Sequence, residues 1–137
     1  MIEVEARAEV DVDLDAVVRR VHWTCERLGI ERASVGLLIV GPQAMADVNG
    51  EHRGKPEPTD VLAFPIDGEG GPGGLAAWPA AGPAPELGDI VICPDLAEEP
   101  LTTLAVHGLL HLLGHDHEVD GGEMLALQDQ LVAEAEA

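Results

Sequence analysis

Three histidines, His107, His111 and His117, are spaced so that one helix and one turn can bring them to a single point. His107 and His111 lie four apart, and on a helix their imidazoles project from one face, a turn apart. Gly114 follows, a residue free to adopt the left-handed conformation that ends a helix, and the chain beyond it can fold back to deliver His117 to the same place. Three neutral imidazoles are the donor set of a zinc site whose fourth position is left to water, and such a water ionises near neutral pH. The surrounding run is apolar, where unpartnered polar groups are costly, so paired imidazoles there need a reason. The expectation is one zinc ion in a hydrolytic active site. His115 falls between the ligand positions and is expected to point outward, with substitution as a ligand or contact with substrate left open. His22 and His52 carry no such spacing.

The same spacing, H-x-x-x-H-x-x-G-x-x-H, resembles the motif of metzincin peptidases, in which a glutamate follows the first histidine and acts as general base. Here that position is Gly108. A metallopeptidase reading therefore lacks the carboxylate that would activate water.

The elements that must position these residues are legible from periodicity. MIEVEARAEV alternates with period two and reads as a strand. From Asp13 onward, Leu14, Val17, Val18, Val21, Cys25 and Leu28 recur at helical intervals, with Asp13 placed to cap and Gly29 to stop. Ala33 to Val40 reads as a strand, Gln43 to Asn49 as a short helix, and Asp60 to Ile66 and Leu87 to Cys93 as two further strands. The last is apolar enough to lie centrally in a sheet. Between them, residues 67–86 form a Gly/Pro-rich stretch expected to be a flexible loop, in which Trp78 either pins the loop to the body or offers a stacking face. Leu101 to Leu113 is an apolar helix, and Asp120 to Glu136 a closing helix with Met124, Leu127, Leu131 and Val132 inward.

With 137 residues, the chain fits one compact domain, 1–137, with a single core. The start of the chain has no signal-like apolar block and no run is long enough to span a membrane, so a cytoplasmic protein is expected. Cys25 and Cys93 lie far apart without thiolate-site spacing and read as buried small hydrophobes. The formal charge of −19 argues against a broad nucleic-acid face: all seven Lys and Arg residues lie between Arg7 and Lys55, and only acids follow.

HGLLHLLGHDHE, from His107 to Glu118, resembles the signature of the YbeY family, metal-dependent endoribonucleases of ribosomal RNA maturation. VNGEHRGKPEPTDVLAFP (Val48 to Pro65), LGDIVICP (Leu87 to Pro94) and EMLALQDQL in the closing helix are similar to that family's other blocks, in the same order. The resemblance implies a single α/β (α+β) domain with a small mixed four-stranded sheet and a metal-bearing helix near the C-terminus. It implies His107, His111 and His117 as zinc ligands and Arg53 as a catalytic residue contacting phosphate, which a permanently charged, two-pronged guanidinium suits. Asp60 and Asp116 are the nearby carboxylates; each could orient an imidazole or cap a turn, and Asp116 could act as general base. Zinc-dependent, single-strand-preferring cleavage in 16S rRNA 3′-end processing and ribosome quality control follows from the resemblance. Its partners would be single-stranded rRNA and the ribosome or small-subunit proteins, with no membrane. The alternative is a zinc-stabilised assembly factor that binds a basic ribosomal protein with little catalysis of its own. The stretch Asp95 to Ala105 is shorter than the family's usual connection, and the Gly/Pro stretch is longer.

Overall fold

A computed structural model of the chain describes residues 1–70 and 74–137. Its elements run β1 (Ile2–Ala8), α1 (Leu14–Arg27), β2 (Ala33–Ile39), α2 (Pro42–Arg53), β3 (Val61–Pro65), β4 (Glu86–Ile92), α3 (Leu101–Leu112) and α4 (Glu123–Ala135). Single 3₁₀ turns occur at Leu75–Ala77 and Pro94–Leu96.

The four strands form one mixed sheet in the order β1-β2-β4-β3. β1, β2 and β4 are mutually parallel, and β3 runs antiparallel along the edge against β4. Parallel neighbours require a crossover, and α1 supplies the one from β1 to β2. The apolar strand expected at the centre is β4, flanked by β2 and β3.

Strand alternation divides the core between two faces. Val35, Leu37, Ile39, Ile90 and Ile92 meet Val17, Val21 and Cys25 of α1 and Leu104, Leu109 and Leu112 of α3. On the other face Met45 of α2 packs with Val40, Leu62, Val91 and Cys93. Met124 and Leu131 of α4 cover Val106 and Leu110 on the far side of α3. The metal-candidate helix is therefore gripped by sheet and helices alike, and truncating one of its buried leucines to alanine costs about 2–5 kcal/mol.

Two boundaries and one buried stripe differ from the sequence expectation. α2 extends to Arg53, which places that arginine in its last turn, closed by Gly54 in the left-handed region at φ 69°. α4 starts at Glu123 because the Asp120 carboxylate accepts the Gly122 and Met124 amides, at 2.8 and 2.9 Å, and holds the preceding residues as a cap. Gln128, with Met124 and Leu131, occupies the buried stripe of α4, and the expected Leu127 and Val132 are half-buried beside it.

The 67–86 stretch includes 71–73, which lie outside the described residues. Beyond them it is held at several points, by contacts to the body and within the loop. The Arg32 guanidinium donates to the Ala80 and Gly82 carbonyls, and the Trp78 indole N–H donates to Pro83 O at 3.1 Å. Leu75 packs against the main core. No helix among the described residues is long and apolar enough to cross a membrane.

Candidate metal centre

α3 closes in the way its sequence suggested. Gly114 adopts φ 98°, its N–H bonds to His111 O at 3.1 Å, and the His115 N–H reaches back to Leu110 O at 3.0 Å. These two bonds engage carbonyls of the last helical turn and reverse the chain. The next turn is fastened by Asp116, whose Oδ1 accepts the Glu118 amide at 3.0 Å while its carbonyl accepts from Val119 and Asp120. That turn returns His117 to the helix.

The result is a triangle of imidazoles. Ring centroids lie 4.8 Å apart for His107 and His111, 5.1 Å for His107 and His117, and 5.3 Å for His111 and His117. One nitrogen from each lies within 4.8 Å of the others, and the trio could hold a metal ion. His115 is not one of the three, though it lines the same cavity.

Two hydrogen-bonding facts bear on what the trio can bind. His107 Nδ1 lies 2.7 Å from Gln128 Oε1, an acceptor only, so Nδ1 carries the proton and Nε2 keeps a free lone pair. His117 Nδ1 is buried without a hydrogen-bond partner among the described residues. Burial, and then the neighbouring His107 and His117, push the His111 imidazole below its ordinary value of 6.5, which favours the uncharged form. Imidazole nitrogen donors, one of them lacking a partner among the described residues, fit a zinc-like cation.

Gln128 escaped sequence reasoning, although a signal existed. It shares a helical stripe with Met124 and Leu131, so a polar side chain there had to be buried and had to find a partner. Only 6% of it is exposed.

The remaining candidates meet the histidines in one cavity of about 650 Å³. Its wall includes Arg53, Asp60, Ala63, Glu69 and Asp116, and Arg53 is the one Lys or Arg side chain on it among the described residues. Arg53 owes its position to α2 and to Asn49, whose Nδ2 donates to Glu57 O at 2.8 Å and fastens the following loop. Asp60 serves the strand end: its Oδ1 accepts the Val61 amide at 2.8 Å and faces the Thr59 hydroxyl at 3.4 Å. Asp116 has one oxygen committed to its own turn.

Gly108 has a packing reason. A Cβ at this position would come within 2.7 Å of Ile90 Cγ2 and 3.5 Å of Val61 Cγ2, because α3 presses directly onto β3 and β4 here. The place where a metzincin carries its glutamate faces the sheet and has no room for a side chain.

The sequence matches the family described as Endoribonuclease YbeY over residues 2–136. Proteins called Endoribonuclease YbeY are similar along almost their whole length. One from Salinispora tropica is 41% identical over 96% of this chain and 94% of its own. Another from Mycolicibacterium smegmatis is 38% identical over 97% of this chain and 82% of its own. In fold, the chain resembles TM1509 from Thermotoga maritima, solved in solution, with a TM-score of 0.57 and 24% identity over 98% of this chain and 88% of that one.

Proposed function

The chain belongs to the YbeY endoribonuclease family, and from that membership we propose that it is a zinc-dependent endoribonuclease preferring single-stranded RNA. Its place is ribosomal RNA maturation in the cytoplasm, including 16S rRNA 3′-end processing and ribosome quality control, with small-subunit proteins as further partners. The observation that carries this reading is the convergence of three imidazoles and one guanidinium on a single cavity.

His107, His111 and His117 would hold the cation. When bound, it supplies Lewis acidity toward a phosphoryl oxygen and lowers the pKa of water. The protein's own groups do the rest. Gln128 fixes the His107 tautomer so that a lone pair faces the cavity. Arg53 stays charged, meets two phosphoryl oxygens at once and stabilises the charge that grows on them as the phosphodiester is attacked. Asp116 keeps one carboxylate oxygen free of its turn, and that oxygen takes the proton from attacking water. No comparable carboxylate exists on the α3 face, where Gly108 meets Ile90.

Purified protein supplied with zinc should cut single-stranded RNA. His111→Ala and Arg53→Glu should each abolish cleavage while leaving the melting transition cooperative. Equal cleavage by all three proteins would trace the activity to a contaminating nuclease and end the proposal.

The charge of −19 favours a second reading, an assembly factor that attracts basic ribosomal proteins. Metal removal separates the two. If chelation unfolds the protein and binding to ribosomal particles declines only with stability, the ion is structural; if the fold survives and cleavage stops, it is catalytic.

A further inference from the structure

β3 is the exposed edge of the sheet and also a wall of the histidine cavity. Its register decides which backbone groups face that cavity. Cys93 N–H donates to Asp60 O at 2.8 Å and Ile66 N–H to Leu87 O at 3.0 Å, so residues 60, 62, 64 and 66 point their peptide groups at β4. Val61, Ala63 and Pro65 point theirs outward, away from the sheet.

Of these three, one has a donor to offer. The Val61 N–H is taken by Asp60 Oδ1 at 2.8 Å, and Pro65 has no N–H. Among the described residues Ala63 alone presents a free backbone N–H at this edge, and it lines the cavity with Arg53 and the three histidines. Such an edge is a poor template for an added peptide strand, which needs donors and acceptors at several successive positions. A single N–H in the same cavity as a guanidinium suits an anion, since hydrogen bonds from backbone amides to ionised oxygen are strong and cost no reorganisation.

We propose that the backbone N–H of Ala63 donates to a phosphoryl oxygen of the bound RNA, in the cavity that Arg53 also lines. The proposal rests on the nuclease reading above and names a second fixed contact for its substrate. The donor is a main-chain group, so no side-chain comparison would single it out.

The direct test replaces Ala63 with lactic acid by nonsense suppression, which exchanges one N–H for an ester oxygen and leaves the side chain intact. With zinc loaded, kcat/KM on single-stranded RNA is expected to fall by roughly 10- to 100-fold, in the range seen for lost donors to a developing oxyanion. Zinc stoichiometry should be unchanged. The matching ester at Val61, whose N–H is already occupied, should leave kcat/KM within about twofold. A second readout needs no turnover: on titration with short 2′-O-methyl RNA, the Ala63 amide proton should move downfield and the Val61 amide should not. Wild-type kcat/KM in the Ala63 ester, or an Ala63 amide indifferent to RNA, overturns the proposal. If the unmodified protein cuts no RNA at all, the nuclease reading fails instead, and the amide titration still decides whether Ala63 meets phosphate.

Discussion

Gln128→Met should weaken zinc binding without emptying the space between α3 and α4. Methionine fills about the same volume, so the substitution removes the acceptor at 2.7 Å from His107 Nδ1 and little else. In the metal-free protein the lost bond leaves a polar nitrogen in a half-buried setting, a cost of about 1–3 kcal/mol if nothing relaxes. Relaxation is available, because the ring can move its proton to Nε2 and turn that side to the open cavity. The apo chain should therefore lose only ~0.5–1 kcal/mol, a melting shift of about 2–6 °C for a domain of this size. Zinc binding must then undo the relaxation and return the proton to an unpartnered Nδ1. Partners of this kind are worth roughly 10- to 100-fold in metal affinity, or ~1.4–2.7 kcal/mol. Competition with a fluorescent zinc chelator measures the affinity, and melting with and without zinc measures the rest. Gln128→Glu, which keeps an acceptor and adds charge, should hold or raise affinity. A Gln128→Met protein that binds zinc within twofold of the parent refutes the assigned tautomer and the role given to Gln128.

Gly108→Ala drives a methyl to within 2.7 Å of Ile90 Cγ2 and should destabilise the fold by about 1–3 kcal/mol, read as a lower melting temperature; an unchanged value would mean that α3 does not seat as described. The Asp120 carboxyl is held below its ordinary 3.8 by the Gly122 and Met124 amides, so it contributes stability above that value that disappears as pH falls through the lowered one. Melting curves from pH 5 to pH 2 should accordingly show a shallower acid decline in Asp120→Asn than in the parent, and parallel declines would contradict the cap. Burial, reinforced by Glu26, pushes the Cys25 thiol up to about 12. Iodoacetamide at pH 8 should leave Cys25 unmodified by mass spectrometry until denaturant is added, and native labelling would show that the α1 core opens.

Much of the candidate site could be read from local rules. The interval between His107 and His111 and the freedom of Gly114 are local facts, and the helix end realises both. Asp13 capping α1 through the Ala16 amide is another case, since a cap acts over three residues. What the sequence concealed was set by tertiary contact. Gln128 matters because α4 lies across α3, and nothing in EMLALQDQL says which helix it will meet. The strand order β1-β2-β4-β3 and the outward edge of β3 follow from pairings between distant segments. The emptiness of position 108 likewise depends on Ile90, eighteen residues earlier, arriving beneath the helix.

The allocation of basic side chains has a kinetic consequence. Arg7, Arg20 and Arg27 are engaged with Glu9, Glu136 and Glu134, and Arg32 with loop carbonyls, which leaves Arg19, Lys55 and the cavity's Arg53 without such a partner among the described residues, on a molecule of charge −19. A polyanion approaching such a body meets repulsion until the last few ångströms, within roughly one Debye length of about 10 Å at 0.1 M salt. Moderate salt should thus quicken the approach of RNA by screening that barrier, and slow it only where the short-range grip of Arg53 weakens as well. Most nucleic-acid proteins lose association rate from the first increment of salt; for this one the rate should pass through a maximum.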